Sequence, residues 1–302
     1  MAGYSELEKL VDELRKTTGL QVEITTDDAE DIEHAKQQLR QLLGAYKEKY
    51  DKNYFLRNLM LGKMQNTEVD SYAKKFHISN ETKRVLFLVE TKTGVDDFFI
   101  ELLRNLFPAK NKNEIVKMDH PRVVLLWPTE ADGEALYEAS MQTAHMIVDT
   151  VSAEEMSSVR VSFSEAIGEL ADMAKCYSDV SMAMKIGHIF YSEQTVIPYN
   201  RLGTGGLIYR VPRENCEEFL REVFCGEVPE RLDEEMKMTV SKFFQYNLNI
   251  SETSRQLHMH RNTLIYRIEQ LQKRTGLDIR VFEDACVFRI AMMVMNDLKA
   301  EE

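Results

Sequence analysis

The stretch NLNISETSRQLHMHRNTLIYRIEQLQKRTGLDIRVFEDACVFRIAMMV, residues 247–294, decides how the C-terminal part of this chain folds. Ser251 is a favourable N-cap residue, and Glu252 behind it places a negative charge in the first turn of a helix. A helix is therefore predicted from Ser251 to about Leu257. Residues 258–260 predict a tight turn ahead of a second helix.

The second helix is predicted to begin near Arg261 and to end at Gly276, because glycine is common just after a helix C-terminus. Its leucine and isoleucine residues recur on one face, which predicts a buried apolar stripe. The opposite face is polar, because successive side chains project around the helix with a period of about 3.6 residues. The buried stripe comprises Leu264, Ile268 and Leu271, and the polar face comprises Asn262, Tyr266 and Lys273, flanked by Thr263, Arg267 and Gln270.

Two short helices joined by a tight turn, at about residues 250–276, predict a helix-turn-helix. This motif places its second helix in the major groove of DNA, with the N-terminal residues against base edges. Arginine pairs with guanine, asparagine pairs with adenine, and hydroxyl groups bind phosphate oxygens. The predicted DNA contacts are therefore Ser251, Thr253, His260, Arg261, Asn262, Thr263, Tyr266, Arg267 and Lys273.

The charge distribution supports local DNA binding. The chain carries 38 basic and 50 acidic residues, a formal net charge of −12, which does not suit nonspecific binding of nucleic acid over the whole surface. Residues 253–276 contain five basic residues and one acidic residue, a local charge of +4, so the other residues sum to −16. An acidic body with a basic C-terminal segment is the pattern expected when one small module binds DNA.

Periodicity alone also fits an amphipathic helical pair with a solvated basic face and no DNA-binding role. The stretch from Ser251 to Met292 resembles the C-terminal helix-turn-helix of the PucR/CdaR family. The resemblance includes HRNTLIYRI at residues 260–268, the TGLD turn at 275–278 and FEDA at 282–285. It implies a transcription factor, with members of the family often responding to small metabolites.

The middle of the chain has the element order β-α-β-β-α-β-α between residues 84 and 186. This order predicts a ferredoxin-like antiparallel sheet with helices on one face. The region resembles the GGDEF-like domain of PucR/CdaR-type regulators, and CYSDVSMAMKIG at residues 176–187 is its most family-like piece. The predicted fold class is α+β, with a degenerate GGDEF-like (cyclase-like) α/β domain followed by an all-helical helix-turn-helix domain.

An alternative function is a nucleotide-binding or nucleotide-cyclising enzyme in this middle domain. Diguanylate cyclases carry a Gly-Gly-acid-acid-Phe turn between their second and third strands, where the acids hold magnesium. The corresponding turn here is Asp119, His120, Pro121 and Arg122, which lacks those groups. The segment GVDDFF at residues 94–99 resembles the motif but is placed at a helix start, where its acids are expected to act as caps.

Three regions follow from these patterns: residues 1–80, short and mostly helical with a brief strand at 20–25; residues 81–205, the GGDEF-like domain; and residues 206–302, the helical C-terminal domain. The glycine-rich segment at residues 203–206 fits no phosphate-binding motif and predicts a flexible linker.

The remaining expectations concern location and partners. The first residues are charged and no long apolar run occurs, so no membrane association and a cytoplasmic location are expected. The four cysteines are scattered, which predicts reduced core residues and neither a zinc site nor disulfides. No cofactor, metal or enzymatic activity is expected. The expected partners are double-stranded DNA, a second copy of the chain in a homodimer, and a small-metabolite effector.

Overall fold

The computed structural model describes residues 2–23, 29–92, 94–155, 158–224 and 233–300. The chain folds into two compact units. The first unit, called the α/β unit below, comprises residues 1–184 and 194–201. The second, called the helical unit, comprises residues 185–193 and 202–302.

The N-terminal helices of the α/β unit are α1 (Ala2–Thr18) and α2 (Ala29–Tyr50). Leu7 and Leu14 of α1 share a small apolar core with residues of α2 that include Ile32 and Leu39. These two helices agree with the mostly helical character predicted for the start of the chain. The prediction of a brief strand at residues 20–25 is wrong for residues 20–23, which are irregular. Residues 24–25 lie outside the described residues.

A five-stranded sheet with the order β2-β3-β1-β4-β5 forms the centre of the α/β unit. β1 pairs antiparallel with both β3 and β4, so this strongly apolar strand is central. The four strands of the predicted β-α-β-β-α-β-α order are confirmed, whereas β5, which pairs in parallel with β4, is only three residues long and was not predicted. The bounds are β1 (Arg84–Thr91), β2 (Glu114–Lys117), β3 (Arg122–Pro128), β4 (Val159–Ile167) and β5 (Val196–Pro198).

Helices cover both faces of this sheet. Leu86 and Leu88 of β1 contribute to a core with α3, α4 and α7, whereas Val85 and Phe87 contribute to another core with α5 and α6. The expectation of helices on one face was therefore wrong. The physical reason is that β1 and β3 are unbroken apolar runs, which is typical of strands buried on both faces. The helices are α3 (Lys52–Met60), α4 (Asn66–Lys75), α5 (Asp97–Leu106), α6 (Gly133–Glu155) and α7 (Met173–Phe190).

The helical unit is built around one apolar core. Phe243 and Phe288 are fully buried in it, and the stripe of the predicted second helix joins them. Residues 203–206, predicted as a linker, lie instead in a short helix, because the Tyr191 hydroxyl donates to the Leu202 carbonyl (2.7 Å) and accepts from the Gly205 N–H (3.1 Å). The helices are α8 (Gly203–Ile208), α9 (Arg213–Val223), α10 (Glu234–Gln245), α11 (Ile250–Gln256), α12 (Arg261–Thr275) and α13 (Phe282–Ala300).

The cysteines differ from the expectation of four core residues. Cys216 is buried, Cys176 is half-buried and Cys286 is exposed, and none of these three forms a disulfide. Burial raises the pKa of the Cys176 thiol to about 11. Cys225 lies outside the described residues.

Candidate nucleic-acid interface

Helix α11 begins close to the predicted position but with a different cap. Asn249 is the N-cap, and its side-chain oxygen accepts a hydrogen bond from the Glu252 N–H at 3.1 Å. Ser251, predicted as the cap, is instead the second residue of the helix and is exposed. Its hydroxyl is therefore on the surface, where a phosphate contact is geometrically available.

Thr253 does not reach the surface of α11. The residue is fully buried, and its hydroxyl oxygen has no hydrogen-bond partner within the described part of the chain. The side chain packs toward the interior of the helical unit, so the hydroxyl group of Thr253 cannot contact a phosphate, contrary to the prediction.

The turn between α11 and α12 comprises residues 257–260 and is one residue longer than predicted, because α11 ends at Gln256. His258 adopts a left-handed backbone conformation with φ of 52°, and the Met259 N–H donates to the Ser254 carbonyl at 3.0 Å. Met259 is partly buried against the core. These contacts hold α11 and α12 in a compact pair.

Helix α12 has defined ends that agree with the predicted ones. His260 is the N-cap, and its Nδ1 accepts from the Asn262 N–H at 3.2 Å. At the other end Gly276 has φ of 78°, and its N–H donates to the Gln272 carbonyl at 2.8 Å. Glycine adopts this left-handed conformation without steric penalty, which explains why the helix ends there.

The two faces of α12 have different environments. Leu264, Ile268 and Leu271 are at most 1% exposed, which confirms the apolar stripe. The opposite face is in solvent, and Tyr266 is 60% exposed there. The other predicted contacts that are exposed are His260, Arg261, Asn262, Thr263 and Lys273.

Arg267 is placed differently from the other predicted contacts. Its side chain is 21% exposed and forms an ion pair with Glu235 of α10. It also donates to the Thr239 hydroxyl at 3.2 Å. These bonds link α12 to α10, so Arg267 helps to hold α12 in position against α10. The sequence pattern contained no signal for this pairing, because both partners lie about 30 residues away along the chain.

Helix α12 carries exposed positive charge at both of its ends. Arg261 and Lys273 form no ion pair with any described residue, whereas Arg255 of α11 pairs with Glu252 at 2.7 Å. Arg280, beyond the helix, donates to both carboxylate oxygens of Asp278 at 2.7 and 2.8 Å. This bonding lowers the pKa of Asp278. Arg280 therefore already has an ionic partner within the helical unit.

The cyclase-like turn of the α/β unit presents a different chemistry. Asp119 pairs with Arg57, and Arg122 donates to Glu90 at 2.7 Å. As predicted for GVDDFF, Asp96 caps α5 by accepting from the Phe99 N–H at 2.8 Å. In the described part of the chain, no group of three or more His, Cys, Asp or Glu residues is arranged to hold a metal ion.

The geometry of α11, the turn and α12 defines a helix-turn-helix protein. A family model described as the PucR C-terminal helix-turn-helix domain matches residues 237–294, and one described as a GGDEF-like domain matches residues 61–186. The chain thus carries both domains in the order implied by its resemblance to PucR/CdaR-type regulators, and that resemblance is confirmed. The GGDEF-like match begins ahead of residue 81, in agreement with the packing of α4 against the sheet.

Two of the curated relatives that the chain resembles are regulators by name. The purine catabolism regulatory protein of Bacillus subtilis (strain 168) is 24% identical over 176 residues, covering 58% of this chain and 33% of the relative. The carbohydrate diacid regulator of Escherichia coli (strain K12) is 22% identical over 245 residues, covering 78% of this chain and 63% of the relative. The chain spans less than two thirds of the length of either relative.

Among solved structures, a regulator of polyketide synthase expression from Bifidobacterium adolescentis aligns with 83% of this chain and 95% of its own. The sequence identity is 16% and the TM-score is 0.36, too low to support an argument. Within the described residues, no helix has both the length and the apolar character needed to cross a bilayer.

Proposed function

We propose that this chain is a transcriptional regulator that binds duplex DNA by placing the N-terminal end of α12 in the major groove. The observation that carries the proposal is the contrast between the two faces of α12. One face is buried in the core, and on the other the side chains of Arg261 and Asn262 form no hydrogen bond or ion pair with a described residue. Polar groups that the fold does not use are available for base edges.

The exposed residues divide into two roles in this proposal. Arg261 and Asn262, at the start of the helix, contact base edges, and Thr263 and Tyr266 adjoin them. Lys273 and Ser251 contact the phosphate backbone, which sets affinity and register but not sequence. His260 caps α12 and lies at the same end. Arg267 acts through α10 by fixing the orientation of the helix.

The proposed regulator binds as a homodimer in the cytoplasm and is controlled by a small metabolite. A two-fold dimer presents two α12 helices to half-sites spaced by one DNA turn, about 34 Å. The names of the relatives, which refer to purine catabolism and carbohydrate diacids, support metabolite control as a class. In the α/β unit, the paired side chains of the hairpin turn support a role other than catalysis.

Selection of tight-binding duplexes from a randomised library, followed by a salt titration of the best one, tests the proposal. A recovered palindromic site, with affinity falling steeply as salt rises, is the expected result. Binding that shows no sequence preference would contradict it and would make the helix pair a structural or partner-binding unit. Incubation with GTP or ATP and magnesium tests the enzymatic alternative, and a cyclic product would contradict the assignment as a non-enzyme.

A further inference from the structure

A cavity of about 360 Å³ lies within the α/β unit, between the first turns of α6, the end of β4 and the residues that follow β5. This volume is in the range of small-molecule sites. The cavity is remote from the cyclase-like turn. In the register of the sheet, Phe163 of β4 pairs with Phe87 and Ile167 pairs with Arg84, whereas the cyclase-like turn adjoins the other end of β1.

The cavity wall contains a buried hydroxyl group that the fold leaves unsatisfied. Ser140 of α6 is 1% exposed and lines the cavity, and its Oγ has no hydrogen-bond partner in the described part of the chain. A serine within a helix commonly bonds to the carbonyl one turn earlier. A buried hydroxyl without a partner is destabilising, so a ligand that bonds to it gains this interaction.

A cation and an aromatic ring stand beside this hydroxyl. The guanidinium carbon of Arg201 is 3.6 Å from the centre of the Tyr137 ring. Nη2 of Arg201 is 3.0 Å from each carboxylate oxygen of Glu134. Because a guanidinium presents five N–H groups, the pair with Glu134 leaves other donors for a second acceptor. The ring and the carboxylate hold the guanidinium in place.

The cavity lining offers complementary groups for both signs of charge. Arg201 and the N-terminal end of α6, where the peptide dipoles carry partial positive charge, favour a carboxylate. Glu134 and Glu165 favour an ammonium group, and Ser140 and Asn200 add hydrogen-bonding groups. A ligand with only a negative charge would be repelled by the glutamates, and a ligand with only a positive charge would be repelled by Arg201. A molecule with one carboxylate and one ammonium group matches both.

We propose that this cavity binds a small amphoteric molecule, specifically a free α-amino acid. Its carboxylate is held by Arg201, and its ammonium group faces the glutamates. As an effector site, this assignment rests on the proposed regulatory function. The binding itself is measured without DNA, so a failure of ligand binding and a failure of DNA binding are separate results.

Isothermal titration calorimetry of the full chain against each of the twenty amino acids tests the assignment. At least one amino acid should bind saturably with a Kd below about 1 mM. Arg201→Gln should weaken that binding at least about tenfold, because the charged partner of the carboxylate is lost. Ser140→Val should abolish binding by replacing the hydroxyl group with a methyl group and adding a second one to the cavity.

Lys83→Gln provides the matched control. Lys83 is exposed to 44% and pairs with Asp132 at 2.8 Å, much as Arg201 is exposed to 50% and pairs with Glu134, but Lys83 does not line the cavity. The control should bind the amino acid as the unchanged chain does. The assignment is overturned if no amino acid binds at about 10 mM. It is also overturned if binding survives Ser140→Val and Arg201→Gln, or if Lys83→Gln weakens it equally.

Discussion

The hairpin turn at residues 119–122 and the start of α12 at residues 260–263 are both exposed polar segments at places where related folds carry their chemistry. In the turn, the charged groups are paired inside the α/β unit, Asp119 with Arg57 and Arg122 with Glu90. At the start of α12, the side chains of Arg261 and Asn262 form no hydrogen bond or ion pair with a described residue. The fold uses the charged groups of the turn in ion pairs, but it makes no such use of the Arg261 and Asn262 side chains.

This difference is a physical criterion for separating structural from functional polar residues. A partnered charge contributes modestly to folding, whereas an exposed, unpartnered one contributes little to it. Side chains that the fold does not need are the ones available to an external partner. Substitutions in the two segments should therefore affect different measurements.

The largest expected effect is on DNA affinity. Arg261→Ala and Asn262→Ala should each lower affinity for the selected duplex by about 1–3 kcal/mol and relax the preference for one base pair. The free energy of unfolding should change by less than about 0.5 kcal/mol, because both residues are exposed and unpartnered. Fluorescence anisotropy with the selected duplex and urea unfolding measure the two quantities.

Arg104→Ala, at an exposed arginine of α5, is the matched control and should leave DNA affinity unchanged. Normal operator binding by both α12 variants would show that the recognition helix is assigned incorrectly. Loss of stability in either variant would show that unpartnered side chains are a poor guide to function in this module.

A second prediction concerns the turn. Gly94 has φ of 96°, and a Cβ added there would lie 1.9 Å from Nε2 of His120. Gly94→Ala should therefore destabilise the α/β unit by about 1–3 kcal/mol, chiefly from backbone strain at a positive φ, because the exposed imidazole of His120 can move away from the added Cβ. DNA affinity of the folded protein should remain unchanged.

The double variant Gly94→Ala, His120→Ala separates the two causes. Removing the imidazole should restore little of the lost stability and leave the part due to φ. Recovery of most of the stability would show instead that the overlap with His120 causes the loss.

The sequence predicted what depends on local signals. The apolar runs located β1 and β3, and the glycine after α12 located its end. What was missed depends on contacts that the local pattern does not specify. The cap of α11 is Asn249 because its side chain, two residues ahead of Ser251, reaches the Glu252 N–H. The weak helix propensity of glycine predicted a linker where Tyr191 instead holds a short helix.

The candidate site shows the same limit. Periodicity placed the polar face of α12 correctly but could not tell that Arg267 bonds to Glu235 and Thr239. Nor did it show that Thr253 is buried, since a seven-residue helix is too short for a firm assignment of its faces. The cavity beside Ser140 had no local signal, because its lining comes from segments more than 20 residues apart.

A smaller effect is expected for the cap of α11. Asn249→Ala should lower the stability of the helical unit by about 1 kcal/mol, because one N–H at the helix start loses its acceptor. Ser251→Ala should change stability by less than about 0.5 kcal/mol and should weaken DNA binding through the loss of a phosphate contact. Urea unfolding midpoints compare the two variants, and a larger loss for Ser251→Ala would reverse the assignment of the cap.

The smallest expected effect concerns Asp278, a charged residue of the helical unit that is partnered like those of the turn. Hydrogen bonds from Arg280 hold the pKa of Asp278 below its ordinary value, so the pair contributes stability when the carboxyl group is ionised. This contribution is present above the unfolded-state pKa of about 4 and is lost as pH falls through the lower folded-state value. Asp278→Asn should cost at most about 1 kcal/mol at neutral pH. The difference in urea midpoint between the unchanged chain and the variant should shrink as pH falls below about 4, and a difference that persists in acid would show that geometry, not charge, accounts for the role of Asp278.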